Sequence, residues 1–312
     1  MQKVINRTHI EGLLYQHSLE LRESGPNSTN PGTKYITGTI EVATDNDCTN
    51  IVPVHYTYVT ATTSTGKQNP NFATLSNIVN GIHPTVMKDG ADKAVKLKID
   101  SAIGLNEFYT ERDGQETLVS AKRNEGGFIH IVNALDENEA RRSTFEVDMV
   151  ITNVIHKDAD EDRDLPEKAI VRGVIFDFRK AILPVEFSAV NPLAISYFEG
   201  LEASSQNPVF TKLRGVQISE VVVKKYTEES AFGEASVREV KSSRKDFQIT
   251  WAQTDPYLWD DASTLLASEL SEAVTARNTY LATLKQRNDE YKASRKAPAA
   301  AAIVANGKTF DF

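Results

Sequence analysis

The chain has 312 residues, 40% hydrophobic and 25% charged, which is typical of a globular protein with room for two domains of about 100–150 residues each. Its formal net charge of −8 argues against a surface that wraps duplex DNA by charge alone. No segment approaches the roughly 20 consecutive apolar residues of a membrane span, and we expect no signal peptide. The one cysteine, Cys48, cannot form an internal disulfide. These features predict a cytoplasmic protein without a metal or other cofactor.

Alternating and β-branched segments dominate the first four-fifths of the chain and predict a succession of strands. The predicted strands are His9–Arg22, Lys34–Ala43, Ile51–Ala61, Val95–Tyr109, Thr117–Val132, Phe145–Asp158, Ala169–Phe178, Leu183–Val190, Leu213–Tyr226 and Val237–Ala252. Predicted helices cover Phe72–Ile82, Pro192–Ala203 and a long segment from about Asp260 to Ser294.

The order of these elements repeats. Each half reads strand, strand, strand, helix, strand, strand, with a glycine in the second strand (Gly38 and Gly173) and a proline in the third (Pro53 and Pro184). This order is that of an oligonucleotide-binding (OB) fold, a small, partly open Greek-key barrel. Two generic β-sandwiches are the alternative, although they usually have more strands and no helix at that point. The predicted fold class is therefore all-β, with two tandem five-stranded OB-like barrels followed by a long C-terminal helix and a flexible tail.

The predicted domains follow from this repeat. The first OB-like domain covers residues 1–140 and the second covers 141–258, joined by a polar stretch that could form a short helix. The segment 259–296 lacks Gly and Pro and predicts the helix, with a partial apolar stripe that packs on a barrel or on another subunit. Residues 297–312 are rich in Ala and end in Phe-Asp-Phe, which predicts a disordered tail with an aromatic-acidic tip.

Signals for catalysis are weak. The acidic run Asp158–Asp164 resembles the carboxylate clusters that hold divalent ions in nucleases, but a contiguous run between two strands is more often a solvated loop. The sequence contains no phosphate-binding loop, no GxSxG elbow and no HExxH helix, and its histidines are dispersed. We therefore expect a protein that is not an enzyme.

Signals for nucleic-acid binding are stronger. Single strands are bound by cations along the phosphates and by flat aromatic rings under the bases. In OB folds the ligand face is built by the second and third strands and by neighbouring loops. Cations and rings gather there in both halves, with tyrosines expected to keep a wet edge because the hydroxyl needs a partner. The candidate residues are Lys34, Tyr35, His55, Tyr56, Tyr58, Lys122 and Arg123 in the first half, and Arg172, Phe178, Arg179, Lys180, Lys212, Arg214, Lys241, Arg244 and Lys245 in the second.

The chain resembles the single-stranded DNA-binding proteins encoded by tailed bacteriophages. The likeness rests on the OB-like halves, on INRTHIEGLLYQHSLEL near the start, on the blocks SAIGLNEFY, NEGGFIHIVN and FEGLEAS, and on the FDF ending. It implies coating of exposed single strands during phage DNA replication and recombination, in the host cytoplasm. It also implies recruitment of replication proteins through Phe310, Asp311 and Phe312, although only one acidic residue precedes the last ring.

The leading hypothesis is thus a binder of single-stranded DNA without sequence specificity. A phage structural or assembly protein that uses its barrels for protein contacts is the second hypothesis, and a metal-dependent nuclease built on the acidic run is the third. The sequence leaves open whether the protein forms a homo-oligomer.

Overall fold

A computed structural model describes residues 4–63, 65–160, 165–230, 233–261 and 265–296 of the chain, without the side chains of residues 221–243 and 295–296. The strands are β1 (Asn6–His17), β2 (Glu20–Glu23), β3 (Lys34–Ala43), β4 (Ile51–Thr60), β5 (Lys96–Arg112), β6 (Gln115–Ile131), β7 (Ser143–Lys157), β8 (Lys168–Phe176), β9 (Ile182–Ala189), β10 (Val209–Ser230) and β11 (Gly233–Ala252). The helices are α1 (Pro70–Val79), α2 (Val86–Asp89), α3 (Pro192–Gly200) and α4 (Ala267–Lys296), and a 3-10 turn lies at Glu139–Arg141.

Strand pairing runs around a ring in each half. In the first barrel β1 pairs with β3, β3 with β4, β4 with β6, β6 with β5, and β5 with β1. In the second barrel β7, β8, β9, β11 and β10 follow one another in the same way and return to β7. The parallel pairs β4–β6 and β9–β11 are short, so each barrel has a weak seam there. The predicted all-β class, with OB-like barrels and a C-terminal helix, is confirmed.

Two glycines allow the second strand of each barrel to cross close to the first. A Cβ on Gly38 would lie 2.3 Å from the Ser18 carbonyl oxygen, and its φ is +129°. A Cβ on Gly173 would lie 2.0 Å from the Val150 carbonyl oxygen. Any larger residue would push the paired strands apart, so both glycines serve the sharp bend that closes a small barrel.

The helix between the third and fourth strands begins in the same way in both halves. Asn69 and Asn191 are the N-caps of α1 and α3, their side chains accept hydrogen bonds from the backbone N–H two residues later, and each is followed by a proline. Both helices bury apolar side chains toward their barrel, Leu75 and Ile78 in one and Ile195 and Phe198 in the other.

The two barrels are joined side by side. β1 pairs with β7 from Asn6↔Val147 to Ile10↔Ser143, which makes one continuous eleven-stranded sheet. Ile103 of β5 belongs to the apolar core of the second barrel. The first barrel therefore contributes a residue to the core of the second, and the continuous sheet holds the pair in a fixed relation.

Helix α4 begins at Ala267, later than predicted, and the Asp260 carboxylate accepts a hydrogen bond from its first N–H at 2.9 Å. Of the predicted apolar stripe, Leu270 packs against an apolar cluster of the second barrel, whereas Val274 is 43% exposed. The helix also makes ionic contacts with the β5–β6 hairpin. Arg277 donates to the buried Glu107, and Lys285 and Lys292 both donate to Glu116. These two hydrogen bonds hold the pKa of Glu116 down at about 2. The helix therefore braces the hairpin of the first barrel.

Candidate nucleic-acid interface

The outer surface of β3, β4 and β6 carries Tyr35, His55, Tyr58 and Arg123, and we call this set the first-barrel face. The rings of Tyr35 and Tyr58 lie with centroids 4.5 Å apart and planes tilted by 36°. Tyr58 is 48% exposed and its hydroxyl lies 3.1 Å from the Ser24 hydroxyl. Lys34, the first residue of β3, is exposed and directly precedes Tyr35 in the chain. The face thus offers to solvent the exposed ring of Tyr58, with the half-buried ring of Tyr35 beside it.

Tyr56 does not belong to this face. It is 1% exposed and lies in the core of the first barrel. Burial raises the pKa of its hydroxyl, which has no hydrogen-bond partner among the residues that the structure describes. The expectation that Tyr56 keeps a wet edge was wrong, because strand alternation directs it inward with Val52 and Val54.

A bulge in β4 separates Tyr58 from Tyr56. Ile36 pairs with Val59 and Gly38 pairs with Tyr56. The one residue between them on β3, Thr37, therefore lies opposite two residues on β4, Thr57 and Tyr58. The extra residue reverses the alternation, and Val59 then packs on the core while Tyr58 points outward. Strict period-two reasoning would place Tyr56 and Tyr58 on the same side of the sheet.

The remainder of the first-barrel face is polar and nearly neutral. The Thr39 hydroxyl lies 3.2 Å from His55 Nδ1. Partial burial, followed by the charge of Arg123, lowers the pKa of His55. Arg123 itself donates through Nε to the Glu125 carboxylate at 2.7 Å. This part of the face can offer hydrogen bonds to a ligand but little net charge.

Lys122, expected to contact phosphate, instead joins the two barrels. Its Nζ donates to the Glu186 carbonyl oxygen of β9 and lies 5.0 Å and 4.8 Å from the ring centroids of Phe187 and Phe247. Burial lowers the pKa of this ammonium group to about 8, with the carboxylates of Asp246 and Glu186 acting in the opposite direction. The side chain fills the seam between β9 and β11, and it is not available to a ligand.

Other cations of the second half are paired with carboxylates on neighbouring strands. Arg172 donates through Nε to Glu186 at 3.0 Å, across β8 and β9. Arg214 donates to Glu146 at 3.3 Å, and Lys212 lies 3.9 Å from the same carboxylate. Lys212 and Arg214 converge on Glu146, and Arg172 pairs separately with Glu186, so each of these cations has a carboxylate partner on a neighbouring strand.

The β8–β9 turn places an aromatic ring and two cations at the surface. Phe178 is 88% exposed, and the Arg179 guanidinium lies 5.0 Å from its ring centroid. Lys180 adopts a positive φ of 67°, and its charge acts on Glu269 at the start of α4. Phe176, two residues earlier, is buried at 1%. The sequence could not distinguish the core ring from the exposed one.

The remaining predicted residues lie on β11 or in the tail. Arg244 is half-buried and is in register with Glu220 of β10, whereas Lys245 is exposed and is in register with Ser219. The side chain of Lys241 and the tip residues Phe310, Asp311 and Phe312 lie outside the described residues.

Sequence reasoning missed Arg7 and Trp251. Arg7 donates to Glu146 through Nε at 2.9 Å and also through Nη2. Trp251 is 43% exposed, and the Arg214 guanidinium lies 4.6 Å from its ring. A second bulge explains its exposure, because Arg214 pairs with Trp251 and Gly215 already pairs with Ile249. In each barrel, therefore, a bulge reverses the strand alternation and exposes an aromatic side chain, Tyr58 in the first and Trp251 in the second.

The part of the chain that the structure describes was searched for metal-binding groups and for membrane-spanning helices. Within them no group of three or more His, Cys, Asp or Glu side chains could hold a metal ion, while residues 161–164 of the acidic run lie outside. No helix in the described ranges is long and apolar enough to cross a membrane.

A family comparison decides where the sequence belongs. A sequence model of the YorF family matches residues 4–287. The chain belongs to the YorF family. No curated protein matches this YorF-family sequence.

Two solved structures are similar to this YorF-family chain. Wild-type single-stranded DNA-binding protein from Thermus aquaticus superposes with a TM-score of 0.42 and 8% identity, over 80% of this chain and 93% of that one. A deletion mutant of the same Thermus protein gives 0.43 and 12%, over 85% and 100%. Both TM-scores are low, and the likeness is limited to the general course of the fold.

Proposed function

We propose that the protein binds single-stranded DNA without sequence specificity and is not an enzyme. The observation that carries this proposal is the pair formed by the exposed Tyr58 and the half-buried Tyr35 on strands two and three of an OB barrel. Bases stack on such rings for about 1–3 kcal/mol each, and stacking tolerates every base because each has a π-face. Lys34, exposed at the start of β3, supplies a cation for a neighbouring phosphate.

The second barrel contributes to the same function through the β8–β9 turn. Phe178 and Arg179 form an exposed ring and cation there, and Lys180 adds a positive charge. A strand that stacks on the first-barrel face and on this turn would contact both barrels of one chain.

The phage role is the finer part of the proposal. The resemblance to phage proteins supports coating of single strands during replication and recombination in a host cytoplasm, with partner proteins captured by the Phe310–Phe312 tip. Removal of these three residues should leave DNA affinity nearly unchanged and abolish partner capture. Loss of DNA affinity on this truncation would contradict the assigned role of the tip.

The test is a titration of fluorescently labelled oligo-dT followed by anisotropy at two salt concentrations. Binding that weakens as salt rises is expected, because phosphate contacts release counterions. Absence of binding at low salt would overturn the proposal and favour the assembly hypothesis. Magnesium-dependent cutting of the oligonucleotide that is lost in Asp160→Ala would contradict the non-enzymatic assignment.

A further inference from the structure

A row of charged and aromatic side chains crosses four neighbouring strands on the outer sheet surface. Arg7 of β1 is in register with Glu146 of β7, Glu146 with Arg214 of β10, and Arg214 with Trp251 of β11. We call these four residues the Arg–Trp ladder. Strands in a sheet lie about 4.8 Å apart, so the ladder spans about 14 Å. None of its strands belongs to the first-barrel face.

The ladder is open to solvent at its cationic and aromatic positions. The side chains of Arg7 and Arg214 are 69% and 53% exposed, while that of Glu146 between them is 10% exposed. The indole of Trp251 is 43% exposed beside the guanidinium of Arg214. A ligand therefore meets arginines and an aromatic ring, with the carboxylate lying beneath them.

The ionised carboxylate positions both arginines and offsets only one of their two positive charges. Partial burial raises the pKa of Glu146, but the hydrogen bonds and charges of Arg7 and Arg214 outweigh that effect, and the pKa is lowered overall. Lys212 adds a third cation 3.9 Å from Glu146. The nearby Asp148 accepts hydrogen bonds from the Ile5 N–H and from the Tyr257 hydroxyl. Three cations thus share two carboxylates that are held in place.

We propose that the Arg–Trp ladder is a second contact for single-stranded nucleic acid, separate from the first-barrel face. Arginine donors not used by Glu146 bind phosphates, and a base stacks against Trp251 or the guanidinium plane above it. The proposal rests on the proposed function, and it supplies the cations that the nearly neutral first-barrel face lacks. A long strand would contact both surfaces.

Trp251 itself provides the reporter. The chain has two tryptophans, and the other, Trp259, packs among apolar residues and donates through Nε1 to the Pro208 carbonyl at 3.0 Å. In Trp259→Phe, Trp251 is the one remaining indole. Oligo-dT should quench its emission by more than half at saturation, in parallel with the anisotropy of labelled oligo-dT. In Trp251→Phe the remaining Trp259 emission should stay nearly constant.

Charge variants give an independent measurement. Removing one cation that binds a phosphate of a single strand should lower the salt slope by about 0.7, so Arg7→Gln with Arg214→Gln should lower it by about 1.4. Arg287→Gln, on the exposed side of α4, removes one positive charge elsewhere and should leave the slope unchanged. Poly-glutamate at matched charge should not quench Trp251.

The outcomes separate the two proposals. Anisotropy that reports binding, with Trp251 emission and the salt slope both unaltered, overturns the ladder and leaves the proposed function standing. Equal quenching by poly-glutamate overturns nucleic-acid recognition at the ladder. Absence of any anisotropy change overturns the proposed function and the ladder with it.

Discussion

The outer faces of the two barrels share a strand order but differ in what occupies them. On the first barrel, the exposed ring of Tyr58 lies against the half-buried ring of Tyr35. On the second, Arg172 is tied to Glu186, and Lys122 from the first barrel fills the β9–β11 seam. The two barrels therefore share a topology, while the second uses part of its surface to hold the first. We infer that the first barrel carries the main stacking surface.

The largest expected effect is loss of the ring pair. Tyr35→Ala with Tyr58→Ala removes two stacking surfaces worth about 1–3 kcal/mol each, so the Kd for oligo-dT should rise about 30-fold or more. Both side chains lie outside the core, so the thermal midpoint should change little. Anisotropy titration measures the first effect and calorimetry the second. An unchanged Kd would show that the first barrel is not the stacking surface.

The role of Lys122 as an interdomain residue gives a pH prediction. Its folded pKa of about 8 lies below the ordinary value of 10.5, so the unfolded chain binds more protons between these limits. The free energy of unfolding of the wild type should therefore rise relative to Lys122→Met as pH increases from 8 to 10.5, by on the order of 1 kcal/mol per unit. Denaturant titrations at several pH values measure this difference.

Parallel pH profiles for the two proteins would contradict burial of the ammonium group. Lys122→Met should also leave the salt slope of oligo-dT binding unchanged, since the wild-type side chain does not face the ligand. A reduced slope would restore Lys122 as a phosphate contact.

A smaller effect is expected on the second barrel. Phe178→Ala removes a single exposed ring, and the Kd for oligo-dT should rise several-fold, corresponding to about 1 kcal/mol. Stability should not change, because the ring is 88% exposed. If Phe178→Ala weakened binding more than the double tyrosine variant, the comparison between the barrels would be reversed.

The smallest effect on binding is expected at Tyr56. Tyr56→Phe removes a buried hydroxyl that lacks a partner among the described residues, so stability should rise by about 1 kcal/mol and DNA affinity should not change. A weaker affinity would mean that Tyr56 reaches the ligand after all. The same variant serves as a control for the loss of the exposed tyrosines.

The fold could be predicted from the sequence because its signals are local. Period-two patterns, Gly38 and Gly173 in matching strands, and a helix between the third and fourth strands specify the barrel order. The side chains of the candidate site were harder to predict from the sequence, for two physical reasons. Bulges opposite Thr37 and next to Arg214 reverse the alternation that decides which side chains are exposed.

Ion-pair partners were the second difficulty, since they come from distant parts of the chain. Arg7 meets Glu146 and Lys122 meets the Glu186 backbone only after the barrels have packed. A cation count along the sequence therefore locates the positive groups but does not tell which of them remain open to a ligand.

Cross-linking with oligo-dT that carries 5-iodo-deoxyuridine tests the central claim most directly, because the photoactivated base attaches to an aromatic side chain that it stacks on. Mass spectrometry of the digested complex identifies the attached residue. Cross-links at Tyr35 or Tyr58 should dominate, with weaker ones at Phe178 and Trp251. Cross-links confined to the second barrel, or none under conditions where anisotropy shows saturation, would contradict the assignment of the first-barrel face.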